Sequence, residues 1–289
     1  MSLHESIVSG KFVVTSEIGP PKGVNIEKAL KEADFLKGKV EAVNVTDIQS
    51  SVMKVGSLAV CHLLTQRGIE PVFQLTCRDR NRLALQSDLL SAWILGIRNV
   101  LIITGDHPTL GDHPDSLPVF DLDSVQLLQV VSGLNQGKDM MGNDLEGKPN
   151  FFPGAVVNPG ADPLELQIIK LEKKVQAGAK FIQTQAVYDP AQFETFMKAV
   201  EHIDVPILAG IVLLKSAGMA RYMNKNVAGV SVPEHLIKRM SQAENRKQES
   251  INITIELIGE LKPLCQGIHL MPLGWDKLVP EILKRAFSR

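Results

Sequence analysis

The sequence predicts an α/β fold, a single (β/α)8 TIM barrel over residues 1–289, on three observations. Eight short apolar or β-rich runs alternate with segments of helical spacing. Each run breaks into polar residues at its C-terminal end, where parallel α/β folds place ligand chemistry. No linker divides the chain into halves. Strict alternation implies parallel strands joined by right-handed crossovers. No Gly-x-Gly-x-x-Gly follows a strand, which disfavours an open sheet with a dinucleotide fingerprint, and a Walker A loop is also missing.

The central stretch, residues 71–108, shows the unit most clearly. Residues 72–76 are short, apolar and β-rich. Residues 82–96 follow with helical spacing, Leu85, Leu89 and Ala92 falling at i, i+4 and i+7. Residues 100–104 (VLIIT) form a continuous apolar run, as expected of a parallel strand covered on both faces.

The rest of the chain repeats that unit. Strand one is 12–18, ending at Gly19-Pro20-Pro21, and Asn25 is placed to cap a helix over 26–36. Strand two is 42–46, and the helix over 55–67 stops at Gly68. A polar loop, 106–121, leads to a helix over 124–134. Residues 136–153 are polar, Gly-rich and aperiodic, and read as an excursion or lid. Strand five is 154–158. Leu164, Ile168, Leu171 and Val175 then mark a helix that Gly178 ends. Strands six, seven and eight are 180–185, 206–212 and 267–271. Helices are expected over 190–200, 217–225, 233–241, 249–261 and 278–287.

Composition narrows the function. With 44% hydrophobic and 22% charged residues the chain can bury a sizeable core. A net charge of −1 gives no nucleic-acid footprint and no polybasic membrane patch. Cys61, Cys77 and Cys265 are far apart, so the chain alone supplies neither an iron–sulfur cluster nor a four-cysteine zinc site. No apolar run reaches the length of a membrane helix. Unclustered cysteines and an N-terminus without a signal-peptide pattern point to a reducing, cytoplasmic setting.

The strand ends collect Glu17, Thr46, Asp47, Gln74, Thr76, Asp106, Asn158, Gln185 and Tyr188, all expected to face one mouth. Two carboxylates among amides and hydroxyls suit a flat heterocycle with an anionic tail. Glu17 is either an acid whose charged form burial disfavours, or a carboxylate bonded to nearby backbone. Asp106 is either functional or an Asx-turn before Pro108. Gln185 falls where a ligand amide would be read, or merely continues the alternation from Gln183. Arg78, Arg80 and Arg82 are a solvated helix start or a phosphate site. Lys173 and Lys174 complement a helix dipole. His107, His113, Asp112 and Asp115 follow no familiar metal spacing and read as loop polarity, so no metal is assigned. No lysine ends a strand, which disfavours a Schiff-base lyase.

The motifs T-S-E-I-G-P-P, V-T-D, L-T-C-R-D-R-N, I-I-T-G-D-H-P, V-N-P-G, K-V-Q-A-G-A-K-F-I-Q-T-Q and H-L-M-P-L-G-W occur in this order over residues 11–283. Together they resemble the methylenetetrahydrofolate reductase family. The resemblance implies a barrel with a flavin, FAD ahead of FMN, in its mouth. It also implies hydride transfer from flavin N5 to methylenetetrahydrofolate in one-carbon metabolism. By motif, Glu17 resembles the general acid that protonates folate N10. Asp106 resembles the aspartate beside flavin and pterin, and Gln185 the glutamine that reads the substrate. Thr46, Gln74, Thr104, Gly105, Asp106, Asn158 and Lys174 align with flavin contacts. Gln74 stands where a histidine is common, Thr104 and Trp275 where arginines are common, and Ala217 lacks a following aromatic. The resemblance therefore implies, as electron donor, either NAD(P)H or an electron-donating partner subunit, and an oligomer. A folate-binding methyl-transfer component without redox chemistry is the competing reading.

Overall fold

Successive side chains of a strand point to opposite faces, so every strand here is both wall and filling. The computed structural model describes residues 1–288. Its strands are β1 (Val13–Ile18), β2 (Ala42–Val45), β3 (Pro71–Thr76), β4 (Asn99–Ile103), β5 (Phe152–Val157), β6 (Phe181–Ala186), β7 (Ile207–Val212) and β8 (Gly267–Met271). They close in chain order into one parallel barrel, β8 pairing back onto β1 with Thr15 opposite His269.

The helices are α1 (Leu3–Val8), α2 (Glu27–Leu36), α3 (Ser57–Gln66), α4 (Arg82–Ile94), α5 (Ser124–Gln136), α6 (Leu164–Gln176), α7 (Pro190–Ala199), α8 (Ala217–Asn226), α9 (Glu234–Gln242), α10 (Arg246–Leu261) and α11 (Val279–Phe287). Apart from α1, they form the shell that buries its apolar stripes on the outer face of the strands. Leu85, Leu89 and Ala92 of α4 have no exposed surface, and Leu171 of α6 is likewise sealed. Removing such side chains from water, at roughly 25 cal/mol per Å², is the main force holding the shell to the barrel.

Inside, the filling is layered. The lowest layer is apolar: Val13, Ala42, Val72, Leu101, Phe152, Phe181 and Leu208, with Leu3 of α1 packed beneath. The rings of Phe152 and Phe181 stack with centroids 5.3 Å apart. Gly154 makes room for them, since a Cβ there would lie 2.3 Å from Phe181 Cζ. The next inward positions are polar: Thr15, Asn44, Gln183 and His269, all buried. Above them opens the mouth.

The structure adds an element and shifts several boundaries by one to three residues, two of them for a visible reason. Helix α1, capped by a Ser2–Glu5 capping box, was not foreseen. Leu3 N donates to Glu70 Oε1 at 2.9 Å, which ties the helix under the barrel. Strand β5 starts at Phe152 rather than 154 because Phe152 belongs to the lowest layer. Helix α10 starts at Arg246 rather than 249 because Asn245 caps it through Gln248 N. The 136–153 segment is no lid. It joins the end of α5 to the start of β5, so it lies at the end of the barrel away from the mouth. It is an ordered turn, with Lys138 bridging Asp144 and Asn135 exchanging two hydrogen bonds with Phe151.

Candidate active site

Polar strand ends at one rim make a cavity of about 430 Å³. Glu17, Gln74, Thr104, Gly105, Asp106, Asn158, Gln185 and Lys174 all line it. Thr46 does not share that lining. Its Oγ1 is buried without a hydrogen-bond partner, beside Gly19. Tyr188 is also misplaced by the sequence reading. Strand β6 ends at Ala186, and the Tyr188 hydroxyl turns outward to donate to Val212 O at 2.7 Å. Burial pushes that phenol well above its ordinary range.

Glu17 is 7% exposed and stands over the polar layer. His269 Nε2 lies 3.7 Å from Glu17 Oε2. Alternation along β8 places this histidine inward and the motif H-L-M-P-L-G-W begins with it, yet the sequence reading gives it no role. Below it Asn44 and Gln183 exchange two hydrogen bonds, Asn44 Nδ2 donating to Gln183 Oε1 at 2.7 Å and Gln183 Nε2 to Asn44 Oδ1 at 3.2 Å, and Gln183 Nε2 also donates to Thr15 Oγ1 at 3.1 Å. With that bond accepted, Thr15 is assigned as the donor to His269 Nδ1, 2.9 Å away. That assignment leaves the imidazole N–H on Nε2, facing Glu17.

Asp106 is exposed, and among the described residues its carboxylate caps no turn. Its carbonyl is held instead, by Arg78 Nη1 at 3.1 Å and Ser51 Oγ at 2.9 Å. Gly105 precedes it with φ +90, a backbone that excludes most other residues, and a Cβ there would lie 3.2 Å from Thr76 and Arg78 Cβ. The carboxylate is thus free for a ligand while its backbone is fixed.

Arg78 and Arg80 are neither a solvated helix start nor an open phosphate site, whereas Arg82, half exposed at the first position of α4, is a solvated helix start. Arg78 is 1% exposed, paired with Asp79 at 2.8 Å, and also donates to Ile48 O. It joins the loops that follow β2, β3 and β4. Arg80 pairs with buried Asp47 at 2.8 Å and with Asp88 at 2.9 Å, and Arg82 pairs with Asp121. Asp47 also accepts from Thr76 N and Oγ1. Carboxylates that match the forks of Arg78 and Arg80 explain why those two charges face inward.

Lys174 corrects the dipole reading. From the last turn of α6 it reaches into the barrel, where it is 9% exposed and Nζ donates to Val156 O at 2.7 Å. Burial, with Lys170 nearby, pulls its pKa down to about 8. A lysine does reach the mouth, then, from a helix rather than a strand end. Gln185 Oε1 accepts from Ala186 N, leaving its Nε2 donors to the cavity, while Asn158 Nδ2 is held by Ala228 O. One buried cation, open amides and a free carboxylate fit a heteroaromatic ligand that carries both amide edges and anionic groups.

His107 bonds Thr109 and His113 bonds Asp112, and among the described residues no three His, Cys, Asp or Glu side chains gather as a metal site. No helix of the described residues is long and apolar enough to cross a membrane.

The profile of the methylenetetrahydrofolate reductase family matches residues 2–287. The chain is 26% identical over 250 residues to methylenetetrahydrofolate reductase 2 of Schizosaccharomyces pombe, covering 80% of this chain and 38% of that protein. It is 25% identical over 268 residues to 5,10-methylenetetrahydrofolate reductase of Escherichia coli, covering 89% of this chain and 85% of that one. Among solved structures, a Clostridium thermocellum protein that binds two copies of 5-methyl-5,6,7,8-tetrahydrofolic acid superposes with TM-score 0.65 at 17% identity, covering 98% of each chain. At that identity the likeness speaks to the fold.

Proposed function

Because the chain belongs to the methylenetetrahydrofolate reductase family, an oxidoreductase family, we propose that it reduces 5,10-methylenetetrahydrofolate to 5-methyltetrahydrofolate in the barrel mouth, with a bound flavin, FAD ahead of FMN, supplying the hydride. Gln74, Thr104, Gly105, Asp106, Asn158 and Lys174 would hold that flavin. Thr46, whose buried Oγ1 has no hydrogen-bond partner, stays in the proposed set beside them.

The observation that carries the reading is Glu17 at the mouth above His269. As the bridge between N10 and the one-carbon unit opens, Glu17 gives its proton to N10 and becomes a carboxylate. The Nε2–H of His269 faces that new charge, and the bonds from Gln183 and Thr15 keep the imidazole in the required tautomer. Asp106, an acceptor, takes the N–H edge of the pterin. Gln185 contributes amide donors on the same wall. The apolar filling below keeps water from reaching Glu17 from underneath.

The chain is to be loaded with flavin, reduced anaerobically and mixed with methylenetetrahydrofolate. Rapid reoxidation of the flavin is expected, with a loss of about 10³-fold in Glu17→Gln. A chain that retains no flavin, or a Glu17→Gln variant with full rate, overturns the reading. Reduction by NADH, NADPH or a low-potential dye in parallel assigns the donor. Dye alone succeeding favours a partner subunit, the alternative that Ala217 and Trp275 support.

A further inference from the structure

Glu17 stands in the wall between two spaces. One is the mouth. The other is a side cavity of about 330 Å³ beside β1 and β8, and Glu17 and Gln49 line both. Asp276, in the turn after β8, also lines the side cavity, and with it an outer space of about 490 Å³ between α2 and that turn. The outer space reaches the surface, where exposed Lys31 and Lys277 border it. Two carboxyl groups therefore stand in series. Glu17 separates mouth from side cavity, and Asp276 separates side cavity from the outer space.

Packing does not explain Asp276. It is 2% exposed, and its Oδ2 has no hydrogen-bond partner among the described residues. A bare carboxylate buried in this way is costly, and the cost falls when the group takes a proton and meets water in the cavity. Burial first, then the charges of Glu32 and Glu17, raise this carboxyl to about 6, with its own backbone and Lys215 opposing. Lys28 and Lys54 are the other charged groups on the side cavity, and Lys28 is paired with Glu32 at 3.7 Å. Glu27, Lys31, Lys247 and Lys277 border the outer space, and the buried residues of α11 are apolar. A carboxyl that titrates close to neutral pH can both release a proton and regain one there.

Proton transfer from Glu17 to N10 leaves that proton in the product as N10–H. Glu17 is then a carboxylate and has to be recharged once per turnover, while the mouth above it is occupied. We propose that Asp276 recharges Glu17 from the side cavity. The Oδ2–H of Asp276 gives its proton to a water there, and that water passes one of its own protons to the Glu17 carboxylate. Asp276, now the carboxylate, regains a proton from solvent through the outer space. At each exchange one O–H bond breaks and one forms, and the final donor is an acid of the bulk solution. A polar cavity of this volume has room for the water. Asp276 acts through Glu17 and does not touch substrate. The inference rests on the folate reading of the mouth, since that reading is what makes Glu17 lose a proton.

The test compares two rates of the flavin-loaded chain with methylenetetrahydrofolate. One is a single reoxidation of pre-reduced flavin, which uses the proton already on Glu17. The other is sustained turnover driven by a reduced low-potential dye, which needs Glu17 recharged. Asp276→Asn should lower the ratio of sustained to single-turnover rate about tenfold near pH 8. Added imidazole, a small diffusible acid, should restore the ratio, and Asp276→Glu should keep most of it. An unchanged ratio, or a loss that imidazole does not restore, overturns the relay and leaves the folate reading standing. An unsubstituted chain whose flavin is not reoxidised by the folate overturns both. Infrared titration of the flavin-free chain gives a readout without turnover. The band of the protonated Asp276 carboxyl, assigned by its loss in Asp276→Asn, should titrate at lower pH in Glu17→Gln, where one neighbouring negative charge is gone. A midpoint that stays in place overturns the relay. If Asp276→Asn does not fold, the unsubstituted chain decides: the ratio of rates should fall as pH rises past about 6, and a flat ratio overturns the proposal.

Discussion

His269 and Glu17 face each other across adjoining strands, Nε2 to Oε2 at 3.7 Å, and Thr15 fixes the far side of the imidazole at 2.9 Å. If that ring stabilises the carboxylate left by proton transfer, His269→Phe should slow folate-dependent flavin reoxidation by about 10²–10³-fold, with a smaller change in folate affinity. Thr15→Val should cost about tenfold and alter the pH profile, because the tautomer is no longer fixed. Stopped-flow absorbance across pH would read both, and an unchanged rate in His269→Phe would remove the residue from the proton step.

Lys174 sets stability against function. Its pKa is about 8 in the folded chain against an ordinary 10.5, because burial disfavours the ammonium. Between those values the unfolded chain binds the extra proton, so stability rises with pH across that window. Lys174→Met should remove the slope and stabilise the flavin-free chain at pH 7 by about 1–2 kcal/mol, the lost bond to Val156 O being set against the relieved desolvation. The same variant should weaken flavin binding roughly tenfold. Chemical denaturation at a series of pH values, alongside flavin titration, checks the pair of effects.

Asp47 anchors the rim. Its buried carboxylate holds Arg80 and both Thr76 donors. Asp47→Ala leaves a guanidinium that is largely enclosed with only Asp88 opposite, and should lower stability by about 2–4 kcal/mol. Urea denaturation measures this. Asp47→Asn, which keeps an acceptor, should lose less.

Asp276 gives a second pH signature of opposite sense. Burial raises its carboxyl to about 6 from the ordinary 3.8. The folded chain therefore binds the extra proton between these values. The contribution of this group to stability is whole below about pH 3.8 and is lost as pH rises past about 6. Asp276→Asn should be more stable than the parent by about 1–2 kcal/mol at pH 7 and no more stable near pH 3.5. A ligand that donates to Oδ2 should erase that advantage at neutral pH.

The barrel was legible because its signal is periodic. Apolar runs such as 100–104 and the Leu85–Leu89–Ala92 spacing need only local pattern to be read. Glu17, Asp106 and Gln185 were legible because strand ends converge on one rim in this fold. What stayed hidden depends on partners distant in the chain. Arg78 and Arg80 look solvated until Asp106 O, Ile48 O and Asp47 are brought beside them. Lys174 looks like a helix-end charge until its length carries it inward to Val156. His269 lies within a motif, yet its importance comes from β8 closing onto β1, a pairing between the two ends of the sheet. Tyr188 turns away from the mouth because the alternation stops at Ala186, two residues before it.

Helix α1, Leu3 and the stacked Phe152 and Phe181 rings stopper the barrel opposite Glu17. Nothing can pass through from that side. Any molecule bound for the glutamate therefore arrives over the opposite rim.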